Sequence, residues 1–338
     1  MSVGLDIGST SIKLVELSKE GGSYRLNASG VVGFSGKSPD HAKEDKELAP
    51  MAEAIKKLHK EAKISSKRIN LALPEPQVYT RTVKFPLLTD SEIASAVKWE
   101  AEQYIPIPVN EAVIQHQIIE KKQDATPPQA LVLLVAAPMK LVERYARVVE
   151  MAGLSLAVVE TELMALIRSL APTNQTVLIV DFGAKSTDIA VSHMGTLTFS
   201  RSVPTAGDAF TRAIAQGLGI EETQAEEYKR TYGMSTGQLE GKIKKTLDPV
   251  FRMVADEMKK AIQYYQSDER GDSPKSAILA GGTSNMQEAT AELTKLLGIE
   301  VIVGNPFSNV NVDPEAVKSL SGYAPFYSVA VGLAMREV

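Results

Sequence analysis

The sequence predicts an α/β protein of two similar domains facing each other across a cleft, with a small α+β module inserted. Three observations predict it. The chain has 338 residues, too many for one ordinary core. Strand-like and helix-like segments interleave along it. Finally, Leu5-Asp6-Ile7-Gly8, followed by small hydroxyl residues, returns half a chain later as Val180-Asp181-Phe182-Gly183, followed by Ser186 and Thr187.

Composition removes several function classes. A hydrophobic fraction of 44% and a charged fraction of 23% are those of a globular protein. With 37 basic and 41 acidic residues, net charge −4, no long-range field points to nucleic acid. No cysteine is present, which excludes disulfides, iron–sulfur clusters and thiolate chemistry and fits a reducing compartment. His41, His59, His116 and His193 stand singly, none at a metal-ligand spacing. The most apolar run, Ala130 to Met139, is about half the ~20 residues that cross a bilayer. Asp6 sits where a signal peptide would begin, so the chain is expected in the cytoplasm, with no direct membrane insertion.

The elements follow in order. Val3 to Leu17 reads as two short strands joined by a tight turn at Gly8-Ser9-Thr10. Residues 36–47 read as a loop, and a helix follows with Met51, Ile55, Leu58 and Ala62 at helical spacing. Its lysines alternate with Glu53 and Glu61, which marks a solvated face. From Thr89 to Tyr104 runs a helix with a Thr89/Glu92 capping box, an apolar face of Ile93, Val97, Ala101 and Tyr104, and a stop at Pro106 and Pro108. Strands at 111–120 and 131–137, split by the loop 123–128, lead to a helix at 139–152 closed by Gly153. Leu154 to Glu160 is a strand entering a helix at 161–170. Residues 175–200 hold a buried strand ending at Asp181 and Gly183, a second strand after Asp188, and a turn at Gly195 into a third. Helices are expected at 207–217 and 221–232. A long one starts near Pro249 with Asp248 as its cap, and buries Phe251, Val254, Met258, Ile262 and Tyr265. A strand into Gly281-Gly282, a helix, a strand at 299–303, a loop at Asn305-Pro306-Phe307 and a helix from about 327 complete the chain.

The two hairpins carry the chemistry. A glycine among small neighbours lets backbone amides approach phosphate oxygens. An aspartate ending each strand, Asp6 and Asp181, suits a Mg²⁺ shell held through water. Lys13 adds a point charge for phosphate. One such hairpin is an ordinary turn, but the order here is distinctive. It runs hairpin, long interval, second hairpin, strand–Gly281-Gly282-Thr283–helix, then the small-residue helix Ala330 to Ala334. That order resembles the phosphate-1, phosphate-2, adenosine and connecting-helix motifs of the actin, Hsp70 and sugar-kinase superfamily, with its ribonuclease H-like duplicated domains around a nucleotide cleft.

The resemblance implies ATP with Mg²⁺. Asp6, Gly8, Ser9, Thr10 and Lys13 match the first phosphate loop, with Lys13 at actin's phosphate-binding lysine. Asp181 to Asp188 resembles the second; here Ala184 replaces the second glycine of many relatives, beside Gly183 and Lys185. Glu226 and Lys229 match the ribose- and base-reaching helix of bacterial actins, although by spacing alone they equally fit an i,i+3 surface ion pair. Gly281, Gly282 and Thr283 would lie against α-phosphate and adenine. Glu160 stands near the position of a water-orienting residue and is the candidate catalytic group.

The implied division is 1–84 plus 154–175 as the first domain (the chain returning to it at about 320–338), 85–153 as the inserted module and 176–319 as the second domain. That module is similar to the substitute subdomain of FtsA and PilM. Ala96 to Pro106 resembles the PilM signature, as does Asn305-Pro306-Phe307, and FtsA's terminal linker and amphipathic helix have no counterpart before Val338. Trp99 and Tyr104 also read as simple core packing. On these residues the chain is identified as a member of the PilM family. The family implies an ATP-binding scaffold, peripheral to the inner membrane at a type IV pilus or type II secretion platform. It would dock the N-terminal cytoplasmic tail of the bitopic protein PilN between the first domain and the module, beside other platform proteins and motor ATPases, with self-association possible. Hydrolysis is expected to be slow or absent. The competing readings are an FtsA-like division filament and a catalytic actin-like ATPase.

Overall fold

The computed structural model describes residues 1–123, 126–237, 239–267 and 272–337. Part of the expected loop 123–128 lies outside them. The first strands, β1 (Ser2–Ile7) and β2 (Ser11–Glu20), pair antiparallel, Asp6 opposite Lys13. Strands β3 (Ser23–Gly33) and β4 (Arg68–Leu73) join them on either side; both went unread in the sequence. Between them lies α1 (Asp45–Glu61), which buries Leu48, Met51, Ile55 and Leu58. The loop expected over 36–47 contains a short turn of helix at Pro39–His41, and α1 already begins at Asp45, where Glu44 and Glu47 form a capping box.

The module is a three-stranded antiparallel sheet of β5 (Tyr79–Pro86), β6 (Ala112–Lys122) and β7 (Gln129–Pro138), with β7 central. Helix α2 (Asp90–Tyr104) lies on it, and the Thr89/Glu92 capping box is present. Ile93, Val97 and Ala101 enter the module's own core. Two expectations fail here. The sheet begins at Tyr79 rather than 85, and α3 (Met139–Met151) packs into the first domain's core through Tyr145, Val148 and Val149. Nor is Trp99 core: it is 66% exposed, and Tyr104, expected on the apolar face, lies outside under the Arg81 guanidinium, 3.6 Å from its ring centre.

Strand β8 (Ser155–Thr161) completes the first sheet beside β4 and feeds α4 (Glu162–Leu170). The second sheet has the order β11-β10-β9-β12-β13, from β9 (Thr176–Phe182), β10 (Thr187–His193), β11 (Thr196–Val203), β12 (Ser276–Ala280) and β13 (Glu300–Val303). Helices α5 (Gly207–Leu218), α6 (Glu222–Tyr232), α7 (Lys242–Tyr265) and α8 (Ala289–Leu297) accompany it. The expected start of α7 at Pro249 is wrong: it begins at Lys242, with Pro249 inside. Ile243 and Leu247 extend the buried stripe N-terminally, and their packing outweighs the one hydrogen bond that proline removes.

The short strand β14 (Val310–Asn311) returns to β3, followed by α9 (Pro314–Leu320) and α10 (Ser328–Ala334). Helix α10 wedges between β1 and α4. A Cβ on Gly332 would stand 1.9 Å from the Ala165 carbonyl, and one on Gly4 would stand 2.0 Å from that of Ala330. The small residues of α10 are therefore a packing requirement of the joint between the halves.

Candidate functional site

The two hairpins make the same turn. Gly8 N–H donates to Ser11 O at 3.0 Å, and Gly183 N–H to Ser186 O at 3.1 Å. In the first, Lys13 Nζ donates to Asp6 Oδ2 at 2.8 Å, both side chains buried, while Ser9 and Thr10 face solvent. A Cβ on Gly8 would lie 3.3 Å from Lys13 Nζ, so a side chain there would crowd the ammonium from the turn.

The second hairpin meets the third motif directly. Thr283 N–H donates to Phe182 O at 2.9 Å, and Thr283 Oγ1 to Gly183 O at 2.8 Å. Gly281 has φ +82, and a Cβ there would lie 2.2 Å from Asp181 Oδ1. Ala184 O accepts from Asp208 N–H at 2.8 Å, which ties the loop to the start of α5. Ala184 is absent from the residues at positive φ, so its methyl costs no backbone strain.

On α6, Lys229 is buried and its ammonium donates to Gly207 O (3.0 Å), Thr211 Oγ1 (2.9 Å) and Glu226 Oε2 (2.5 Å). Glu226 also accepts from Thr211 and Arg230. The two residues form an i,i+3 ion pair, but not a surface one: the lysine is buried against Gly207, which touches Gly183 and Thr283.

Glu160 does not join this group. It is clamped by Arg168 at 2.5 and 2.7 Å and by Arg336 at 3.2 Å, and so belongs to the joint of β8, α4 and the chain end after α10. The acid beside the hairpins is instead Glu162, past the end of β8 and the first residue of α4. Glu162 is partly buried, and its pKa lies well above the usual carboxylate range because of desolvation and the charges of Asp6, Asp181 and Asp188. Asp181 is pushed up to about 7 by burial, then by Asp188 and Asp6, with Lys13 opposing. Asp188 is raised to about 6 by burial against hydrogen bonds from Ser202 and Ser186. Glu75, from the turn after β4, is raised to about 8 by burial and by Asp188.

Sequence reasoning missed Glu75, Glu162 and Gly207 beside these hairpins and read Asp188 only as the end of the second loop. Position alone was a usable signal for Glu162, the first residue of its helix. Glu75 gave none, because its approach to Asp188 depends on how the sheets face. Among the described residues no three carboxylate or histidine side chains converge as direct metal ligands. The donor set still suits a hydrated cation: Asp188 is buried with its Oδ1 unpartnered, and Asp181 stands opposite it in the register.

The described residues contain no helix long and apolar enough to cross a membrane. A family model for type IV pilus assembly protein PilM matches residues 4–338. A solved PilM–PilN type IV pilus biogenesis complex superposes with a TM-score of 0.84 at 29% identity, covering 99% of this chain and 98% of that one. MreB5 of Spiroplasma citri bound to AMPPNP gives 0.54 at 13%, over 98% and 93%, and supports the actin-like fold alone. Cell division protein FtsA of Pseudomonas aeruginosa is 24% identical over 278 residues, 70% of this chain and 63% of the relative. FtsA of Escherichia coli is 25% identical over 185 residues, 46% and 42%, so the chain spans less than two thirds of these relatives. The fold is actin-like, and the chain belongs to the type IV pilus assembly protein PilM family.

Proposed function

We propose that this protein is an ATP-binding scaffold of a type IV pilus or related type II secretion platform, holding the cytoplasmic N-terminal tail of PilN. The observation that carries the nucleotide half is the contact of Gly183, Gly207 and Thr283 opposite the Lys13–Asp6 pair. Lys13, Gly8, Ser9 and Thr10 would receive phosphate from one side, and Gly183 and Ala184 from the other. Gly281, Gly282 and Thr283 would meet the nucleoside end. Mg²⁺, held through water by Asp6 and Asp181, would supply the charge that the second hairpin lacks. In this reading the first domain is 1–78, 139–175 and 320–338, the module 79–138 and the second domain 176–319. The protein works in the cytoplasm, reaching the inner membrane through its partners.

Calorimetry of nucleotide-free protein with ATP and Mg²⁺ tests this half, and no detectable binding would end it. A catalytic ATPase is the second reading, favoured by Glu162 at the head of α4 beside both hairpins. Turnover is expected well below ~1 s⁻¹, the lower end for enzymes, and Glu162→Gln should abolish what exists. Sustained turnover at enzyme-like rates would favour the ATPase instead.

The partner half rests on the PilM–PilN complex and on an exposed aromatic. Trp99 is the only tryptophan, and it stands on the solvent face of the module. Its fluorescence therefore reports the module alone. Titration with the tail peptide of a PilN encoded beside the gene should shift its emission to the blue. Binding by calorimetry with unmoved Trp99 emission would put the peptide elsewhere.

A further inference from the structure

Lys13 has a second neighbour that the nucleotide motifs do not include. Its Nζ lies 4.1 Å from the centre of the Phe326 ring. Phe326 belongs to the short helical turn Ala324–Tyr327 that leads into α10. Three contacts fix that turn against the second domain. Pro325 O accepts from Gly281 N–H at 3.1 Å, and Gly322 O accepts from Asn285 Nδ2 at 3.1 Å. The third is the ring itself, whose edge would lie 3.5 Å from a Cβ on Gly282. Tyr327, buried behind it, meets the ring edge-on at 6.3 Å and 87°. Phe326 is thus held from both sides, with one face presented to the ammonium.

We propose that Phe326 is a positioning residue for Lys13, and through it a determinant of how tightly the phosphate end of a nucleotide is held; this deepens the nucleotide reading and rests on it. A lysine stem has four rotatable carbons, and ordering them costs affinity unless it is done before the ligand arrives. Asp6 takes one N–H of the ammonium and the ring face takes a second direction. One N–H then remains, and it is the one beside the Gly8 turn. Because the ring rests on Gly282 and its backbone on Gly281, the placement of the lysine in the first motif depends on the third. The two motifs therefore act as one unit although they lie on different domains.

A double-mutant cycle on the full chain separates this from direct contact with the ligand. Phe326→Leu keeps an apolar side chain and removes the ring's negative face; Lys13→Met removes the charge and keeps the stem. In the native background, Phe326→Leu should raise the Kd for Mg-ATP about two- to thirtyfold, the range of a cation–π contact worth roughly 0.5–2 kcal/mol. Phe326→Tyr should restore it. In the Lys13→Met background Phe326→Leu should change the Kd by less than twofold. An equal loss in both backgrounds would mean that the ring touches the nucleotide itself, and would overturn the proposal. So would no loss, or tighter binding, in the native background. Absence of ATP binding by the native protein would remove the nucleotide reading first and this inference with it. Thermal melting of each variant guards against a folding defect.

Discussion

The two hairpins share a turn and differ in one position that sets their electrostatics. Opposite Asp6 in the antiparallel register stands Lys13, and opposite Asp181 stands Asp188. The first hairpin therefore carries its own counter-ion in a buried pair. The second sets two carboxylates face to face, with Glu162 near both, and the chain answers by holding Asp181 and Asp188 protonated further up the pH scale. The two turns share a backbone and divide the charge: a built-in cation on one side, two facing acids on the other.

The largest expected effect comes from removing the built-in cation. Lys13→Ala strands Asp6 as an uncompensated buried acid and, in the proposed reading, loses a charge-assisted contact to phosphate. ATP affinity should fall roughly ten- to a hundredfold, equivalent to about 1.5–3 kcal/mol. Calorimetry with and without Mg²⁺ checks it. A fall smaller than twofold would mean that the first hairpin is not the phosphate side, and the comparison would lose its basis.

The second effect is a pH dependence that belongs to the like-charged hairpin. Asp181 (about 7), Asp188 (about 6) and Glu75 (about 8) have folded pKa values above their unfolded ones. The folded state then binds more protons than the unfolded chain, so stability is greatest below about pH 4 as far as these groups go. It is lost as pH rises through their folded values, between about 4 and 8. Urea midpoints of the ligand-free protein should fall across that window, and Mg-ATP should flatten the slope. Asp188→Asn keeps an acceptor for Ser186 and removes one charge of the facing pair. It should stabilise the protein at pH 8 by roughly 1–2 kcal/mol. A variant no more stable than the native protein at pH 8 would show that the carboxylates do not act on one another.

Much of this was legible before folding, for reasons that differ by residue. The hairpin pair could be read because a glycine with small hydroxyl neighbours after a buried strand is a local pattern. The Thr89/Glu92 cap and the face of α2 were local too, and both are present. What escaped was set by facing and burial. Glu160 and Glu162 are equally acidic in sequence, and what separates them is that Arg168 and Arg336 bind Glu160 while Glu162, past the end of β8, lies beside the hairpin acids. Trp99 looked like core because large aromatics usually are, whereas here the helix turns it outward. Pro249 looked like a helix start because proline favours the first turn, and long-range packing of Ile243 and Leu247 overrode it.

The smallest expected effect tests whether Ala184 is part of the electrostatic division or only a neighbour of it. Many actin-like relatives carry glycine there, which invites the idea that the methyl group impairs the second phosphate loop. The structure argues otherwise. Ala184 lies outside the positive-φ residues, and its carbonyl already holds Asp208 N–H at 2.8 Å, so neither strain nor a missing bond marks the site. Ala184→Gly should therefore act through the unfolded chain, whose freedom it increases, and destabilise the protein by roughly 0.4–1 kcal/mol. In the proposed reading ATP affinity should move by less than twofold, because the loop's backbone hydrogen bonds are already in place. Urea unfolding and calorimetry on the same preparation separate the two quantities. If glycine instead tightened ATP binding severalfold, the methyl group would be an obstacle in the loop. The hairpins would then differ in steric access as well as in charge.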